Sequence, residues 1–131
     1  MLGTGILSGA MAETAQLISG AKTSLGPLEA LTRGILCNML VCLAVWLTFA
    51  ARSVVDKILT IIFPVSAFVL LGYEHSIANI YLVPAGWSDW QDVNFSGFLT
   101  NLCLVTIGNI IGGGGGVAMV YTFAYRPAHR E

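Results

Sequence analysis

Three apolar stretches separated by short polar turns dominate the chain. Between Val93 and Tyr125 lie 33 consecutive residues without Asp, Glu, Lys or Arg, and about 20 mainly apolar residues already cross the hydrocarbon core of a bilayer. A second uncharged run, Gly34 to Ala51, has 18 residues. It lies within a predicted helix over 28–51 that has no proline after its start. A third run, Ile58 to Tyr73, has 16 residues and leads into an equally apolar stretch ending near Pro84. The pattern therefore predicts about three crossings, over 28–51, 57–84 and 95–125. The first 30 residues are rich in Gly, Ala, Ser and Thr, as in closely packed membrane helices. They read as the tail of another crossing over 1–19, followed by a polar loop from Gly20 to Gly26 that carries Lys22.

The middle crossing is interrupted where hydropathy says it should continue. Gly72, Tyr73, Glu74, His75 and Ser76 form the most polar five residues in any apolar segment. The bottom-up inference is a broken helix, because irregular backbone at membrane depth is tolerated only where protein or a water-filled cavity surrounds it. Pro64 adds a candidate kink, since it lacks a backbone donor. The segment Ala85 to Asn94, with two Trp, two Asp and no Lys or Arg, suits an interfacial loop. Five consecutive glycines, Gly112 to Gly116, fall inside the last predicted helix. No strand precedes them and no Lys-Ser/Thr follows, so a phosphate-cradling loop is excluded. Two readings stay open, close backbone approach between helices or a second helix break.

Composition sharpens the class. The 131 residues are 56% apolar and 10% charged, with mean hydropathy +0.79 and net charge −1, whereas an average soluble domain carries about 25% charged residues. The fold class expected is an all-α membrane protein embedded in a lipid bilayer. There is no basic excess of the kind nucleic-acid binding requires. Cys37, Cys42 and Cys103 all sit in apolar runs and form no CxxC pair, which leaves them as packing residues and indicates neither a disulfide nor a metal site. The start, MLGTGILSGAMAE, lacks the basic region and cleavage site of a secretory signal. If the helices alternate, Arg52 and Lys57 lie on the same side as Arg126 and Arg130. The positive-inside rule then makes that side, with the C-terminus, cytoplasmic in a multi-pass protein of the inner (plasma) membrane. Lys22 and Arg33 fall on the opposite side and weaken the bias.

An ionisable residue at membrane depth is a functional hypothesis by default, because a charge there costs at least about 2.5–3.5 kcal/mol on insertion scales. Glu74 and His75 are such residues. A histidine gives or takes a proton near neutral pH with modest changes in environment. The expectation is that His75 faces a solute path while Glu74 orders the loop around it. Half-helix N-termini at the break present unpaired N–H groups that attract an anion without a full buried charge. Asn79, four residues after His75, is a candidate second donor on the same helix face. Asn38 and Asn109 are isolated amides in apolar surroundings, open to a pore role or to a role as interhelical glue. Lys22 is a candidate vestibule cation, with simple solvation as the alternative. Phe68, seven residues before His75, is placed two turns away on one face, where it narrows a path or fills a core. A membrane enzyme or haem subunit needs paired ligands at depth, yet His129 lies in the terminal tail and only His75 lies inside. No enzyme, cofactor or metal is expected.

Three strings in one order, RGILCNMLVCLAVW (Arg33 to Trp46), FPVSAFVLLGYEHSIAN (Phe63 to Asn79) and NLCLVTIGNIIGGG (Asn101 to Gly114), closely resemble the C-terminal half of the formate/nitrite transporter family. The resemblance covers about positions 20 to 126. It implies a six-helix, aquaporin-like protomer of inverted-repeat design with a broken fifth helix, assembled as a homopentamer with one pore per protomer. It also implies passage of small monovalent anions or their acids, such as formate, nitrite or hydrosulfide. By position His75 corresponds to the family's central histidine, Lys22 to its vestibule lysine and Phe68 to a constriction aromatic. Asn38 and Asn79 fall on family asparagines near the same region.

The family's first two helices, most of its third and the other broken helix with its gating loop have no counterpart in these residues. By inverted-repeat logic the solute site lies between the two halves, so the chain is expected to supply half of a pore and not to conduct alone. It reads as a fragment or truncated product unless another polypeptide supplies the missing half. The alternative is a nonfunctional or structural remnant. The expected mechanism is that an anion drawn by Lys22 and the half-helix ends meets His75 between two apolar constrictions. There it is protonated or strongly hydrogen-bonded, because a bare anion bears a steep desolvation cost that its conjugate acid does not.

Overall fold

The computed structural model describes residues 9–87 and 94–125. Among these residues the chain is a bundle of helices: α1 (Ala10–Thr23), α2 (Pro27–Ala50), α3 (Val54–Leu70), α4 (Ser76–Ala85) and α5 (Phe95–Ile110). A π-helical stretch, Ile111–Met119, continues α5 and leads into α6 (Val120–Ala124). Two helical rods are long and apolar enough to cross a membrane, Pro27–Ala50 and Phe95–Ala124. The first eight residues of the expected 1–19 tail, most of the interfacial loop including Trp90, and the tail with Arg126, His129 and Arg130 lie outside the described residues.

Local sequence explains the ends. Pro27 opens α2, where its missing N–H is no loss. Ser53 and Asp56 cap α3 reciprocally: the Ser53 hydroxyl accepts from Asp56 N, and Asp56 Oδ2 accepts from Ser53 N. The Asn94 side chain accepts from Gly97 N to open α5. The helix α3 continues through Pro64 to Leu70. At Gly72, φ reaches +66°, a left-handed conformation that glycine adopts without strain, and the helix stops. A new helix begins at Ser76. The predicted break is present, over Leu71 to His75.

One boundary differs from the sequence reading in a way that bears on the site. The helix α1 runs to Thr23, through the start of the polar stretch expected to be a loop from Gly20. Thr23 Oγ1 donates back to Ser19 O at 3.0 Å and Ser24 N donates to Gly20 O at 3.2 Å. The stretch Gly20 to Thr23 is therefore the last turn of a helix, and Lys22 stands on it.

Packing centres on α2 against α5 and its π-helical continuation, with α3 on the flank of α2 and α4 between α1 and α5. The two halves of the broken helix thus lean on different neighbours, which places the gap at the junction between them. Small residues make the α2–α5 crossing close. A Cβ on Gly108 would meet Leu31 O and Ile35 N, and one on Gly112 would meet Ile35 O. This spacing of glycines four apart is the usual device for bringing membrane helices into backbone contact. Of the five consecutive glycines, Gly112 and Gly113 are buried against α2, and Gly114 and Gly115 face open space. The helical path through them is widened to i→i+5 bonding but not broken. Trp46 and Tyr121 meet edge to face at 5.3 Å and tie the far end of α2 to α6. Large apolar side chains such as Phe49, Leu70 and Ile77 stand on the outside, a surface suited to lipid or to further protein.

Candidate functional site

The site is the gap between α3 and α4, and its geometry follows from how the freed backbone groups are satisfied. A helix interrupted among apolar neighbours leaves carbonyls at one end and N–H groups at the other that must find partners. Tyr73 N donates to Phe68 O at 2.9 Å, closing the end of α3 with a wide turn. Gly72 O accepts from Arg33 Nη1 at 3.0 Å, and Glu74 N donates to Arg33 O at 3.4 Å. On the other side, Asn109 Oδ1 accepts from Ser76 N at 3.0 Å and from Ser76 Oγ at 3.1 Å. Its Nδ2 donates to Glu74 O at 3.1 Å and to Gly34 O at 2.9 Å. Asn109 therefore bridges α2, α5 and both sides of Glu74–Ser76. Asn38 Nδ2 donates to Asn109 O at 2.6 Å and braces the same point from α2.

A second set of polar groups lies behind the loop. Lys22 Nζ meets Glu74 Oε1 at 2.8 Å, with side-chain exposures of 14% and 3%. Asn79 Nδ2 donates to Glu74 Oε2 at 2.6 Å and to Asn101 Oδ1 at 2.8 Å. Asn101 Nδ2 donates to Lys22 O at 2.9 Å, which closes the circuit onto α1. Burying an ion pair is tolerable when further hydrogen bonds satisfy it. Here the carboxylate has partners on both oxygens. Asn79 Oδ1 is buried with no hydrogen-bond partner among the described residues.

The predicted residues divide accordingly. Glu74 is buried and holds α1 and α4 to the gap. Lys22 is paired with it across the fold, so its charge is neutralised at short range where the sequence suggested a free vestibule cation. Asn79 is wholly buried in the same cluster, and Asn38 braces Asn109. His75 stands apart from that circuit. It occupies the position just before α4 in extended geometry (φ −115°, ψ 118°), and no side-chain cap is made there. Its ring is half-buried and lies 6.2 Å from that of Phe68, tilted by 31°. Phe68 is half-buried as well. The main-chain N–H groups of Ile77 and Ala78 belong to the first turn of α4, where helix geometry supplies no internal acceptor. The arrangement offers a titratable ring, an aromatic wall and a weakly positive helix end at one place. Among the described residues no cluster of metal-binding side chains exists.

Asn101 and Arg33 were not singled out by the sequence reading as parts of the site, and Asn109 was left between two roles. A signal for the asparagines is available: Asn101, Val105, Gly108 and Asn109 are the buried residues of α5, and their i, i+4, i+7, i+8 spacing defines one inward stripe. Two amides on the core-facing stripe of an apolar helix must hydrogen-bond something. Arg33 has no such signal, because nothing local says that it reaches a loop 39 residues away.

Comparison with known proteins agrees with the geometry. A family model described as formate/nitrite transporter matches residues 1–123. The formate channel FocA of Escherichia coli (strain K12) is 40% identical over an alignment covering 75% of this chain and 41% of that protein. A probable formate transporter of Methanothermobacter thermautotrophicus is 42% identical over 74% of this chain and 35% of its own length. Among solved structures, a pentameric formate channel with formate bound superposes with TM-score 0.80 at 40% identity, covering 89% of this chain and 53% of that one. An FNT family ion channel gives 0.84 at 32% identity, covering 94% and 50%. The chain thus spans about half, or less, of the length of the relatives it matches. With the family model matching most of the chain and the fold shared with solved members at 32–40% identity, the chain belongs to the formate/nitrite transporter family.

Proposed function

We propose that this chain supplies one half of a pore for small monovalent anions, with His75 and Phe68 on the pore wall and the Lys22–Glu74–Asn79–Asn101 circuit as the frame behind it. The observation that carries the reading is the contrast between neighbours: Glu74 is committed on both oxygens, whereas His75 is half-exposed at the start of α4 beside an aromatic ring. A solute arriving at the gap meets the imidazole and the open N–H groups of α4, not a carboxylate that would repel it. Proton exchange with the imidazole, or a strong hydrogen bond from it, lets an anion cross the apolar constriction as its acid or nearly so. Formate is the first candidate, because the similar proteins are named for it. Nitrite and hydrosulfide share its size and charge. The working assembly in this reading is a homopentamer in the plasma membrane with the C-terminus cytoplasmic, like the pentameric channel it superposes on. The second half of each pore comes from the segment that relatives carry ahead of the matched region.

The test joins the full chain behind the portion of the Escherichia coli formate channel that precedes the match, and measures formate uptake into proteoliposomes across a pH gradient. The hybrid is expected to conduct, and His75→Phe is expected to abolish the pH dependence of uptake and the preference between anion and acid. A hybrid that inserts and assembles but passes no anion overturns the reading, as does a His75→Phe channel with unchanged pH dependence and preference.

A further inference from the structure

Among the described residues the ring of His75 has no hydrogen-bonded anchor, so its position is set by the backbone that carries it. That backbone is held from two sides. Asn109 fixes the Glu74–Ser76 side. The other side, Gly72 to Glu74, is tied to α2 at Arg33: its side-chain Nη1 donates to Gly72 O at 3.0 Å, and its main-chain O accepts from Glu74 N at 3.4 Å, a bond that does not depend on the side chain. We infer that Arg33 is a positioning residue for His75, clamping the Gly72–Glu74 turn so that the imidazole stands beside Phe68 at the pore wall. This rests on the pore reading above.

Three features support it. First, the clamp grips the one position in the gap that has left the ordinary backbone regions. Gly72, at φ +66°, ends α3 and directs its carbonyl away from the helix, where the guanidinium meets it. That bond, at 3.0 Å, ties the turn to α2 across 39 residues of sequence. Second, the guanidinium is itself oriented. Its Nη2 pairs with Glu29 Oε1 at 2.5 Å, one helical turn back on α2. A planar fork can serve Glu29 and Gly72 from separate nitrogens, whereas the single nitrogen of a lysine cannot do so with the same geometry. Third, Arg33 is the last charged residue before the uncharged run of Gly34 to Ala51. Its neighbour Gly34 is buried, and a Cβ there would come within 2.9 Å of Val105 O. The base of the clamp is therefore seated where α2 and α5 are in close backbone contact, and motion of the arginine main chain is restricted.

The experiment uses the hybrid channel described above and reads flux per inserted channel against formate concentration. Arg33→Met is expected to lower plateau flux by up to about a hundredfold, the scale of a group misplaced by about 1 Å, with the half-saturating concentration unchanged. Arg33→Lys is expected to recover part of the plateau. A parental plateau in Arg33→Met overturns the inference. So does an unchanged plateau with a raised half-saturating concentration, which marks Arg33 as a simple attractor of anions. Should Arg33→Met fail to reach the membrane, Arg33→Lys decides, and a plateau equal to the parent's overturns the inference. His75→Phe, run alongside, separates the two readings. If it conducts like the parent, the pore reading fails, whereas a changed His75→Phe beside an unchanged Arg33→Met sinks only the clamp.

Discussion

Asn109→Leu removes the one side chain that bridges α2, α5 and the gap, while roughly preserving volume, so that the polar loss is not confused with a cavity. Four hydrogen bonds disappear: two accepted from Ser76, one donated to Glu74 O and one to Gly34 O. In membrane proteins such bonds average about 0.6 kcal/mol each, which amounts to about 2–3 kcal/mol for the four. A count of stranded groups gives a similar figure. Gly34 O keeps its partner within α2, but Ser76 N and Glu74 O are left without one, at about 1–3 kcal/mol each. The bond from Asn38 survives because it ends on the main chain of residue 109. The loss should concentrate at the gap, so the assay is amide hydrogen exchange on the chain in detergent micelles, with thermal unfolding beside it. Exchange at Glu74 and Ser76 is expected to accelerate about thirtyfold or more, the equivalent of about 2 kcal/mol of local opening. Exchange in the middle of α2 should change far less. Unaltered protection at Glu74 and Ser76, or a loss spread evenly over all helices, would refute the reasoning.

Three further outcomes follow from the packing and the charges. Lys22→Met is expected to destabilise the chain by about 3 kcal/mol or more, because it strands a buried carboxylate. Adding Glu74→Gln should restore most of that, and thermal unfolding of both variants measures the difference. Gly108→Ala places a Cβ against Leu31 O and forces α2 and α5 apart, at about 1–3 kcal/mol. A matched Gly114→Ala, which meets open space, should be neutral or slightly stabilising, and chemical denaturation of the pair tests the contrast. Gly72→Ala puts a side chain at φ +66° and is expected to cost about 1–2 kcal/mol, visible as a lowered melting temperature; an unchanged value would mean that the turn relaxes freely.

Hydropathy alone determined a good deal. It located the crossings of α2 and of the α5–α6 rod to within a residue or so, and it exposed the interruption at Gly72 to Ser76, because the cost of leaving water is a local sum over neighbours in the chain. It also identified Glu74 and His75 as the residues to explain, since ionisable groups inside an apolar segment demand a reason. What each of them touches is set only by the tertiary structure. Lys22 and Glu74 lie 52 residues apart, Arg33 and Gly72 39, and Asn109 and Gly34 75. Such pairs form because particular helix faces meet at particular heights, which depends on the glycine-lined crossing of α2 with α5 and on α4 lodging against α1. The end of α1 shows the same limit. Gly20 to Thr23 reads as a loop when polarity is taken as exposure to water, yet it is the last turn of a helix from which Lys22 reaches Glu74. A residue's own chemistry says what it must satisfy, and only the packing of distant segments says with whom.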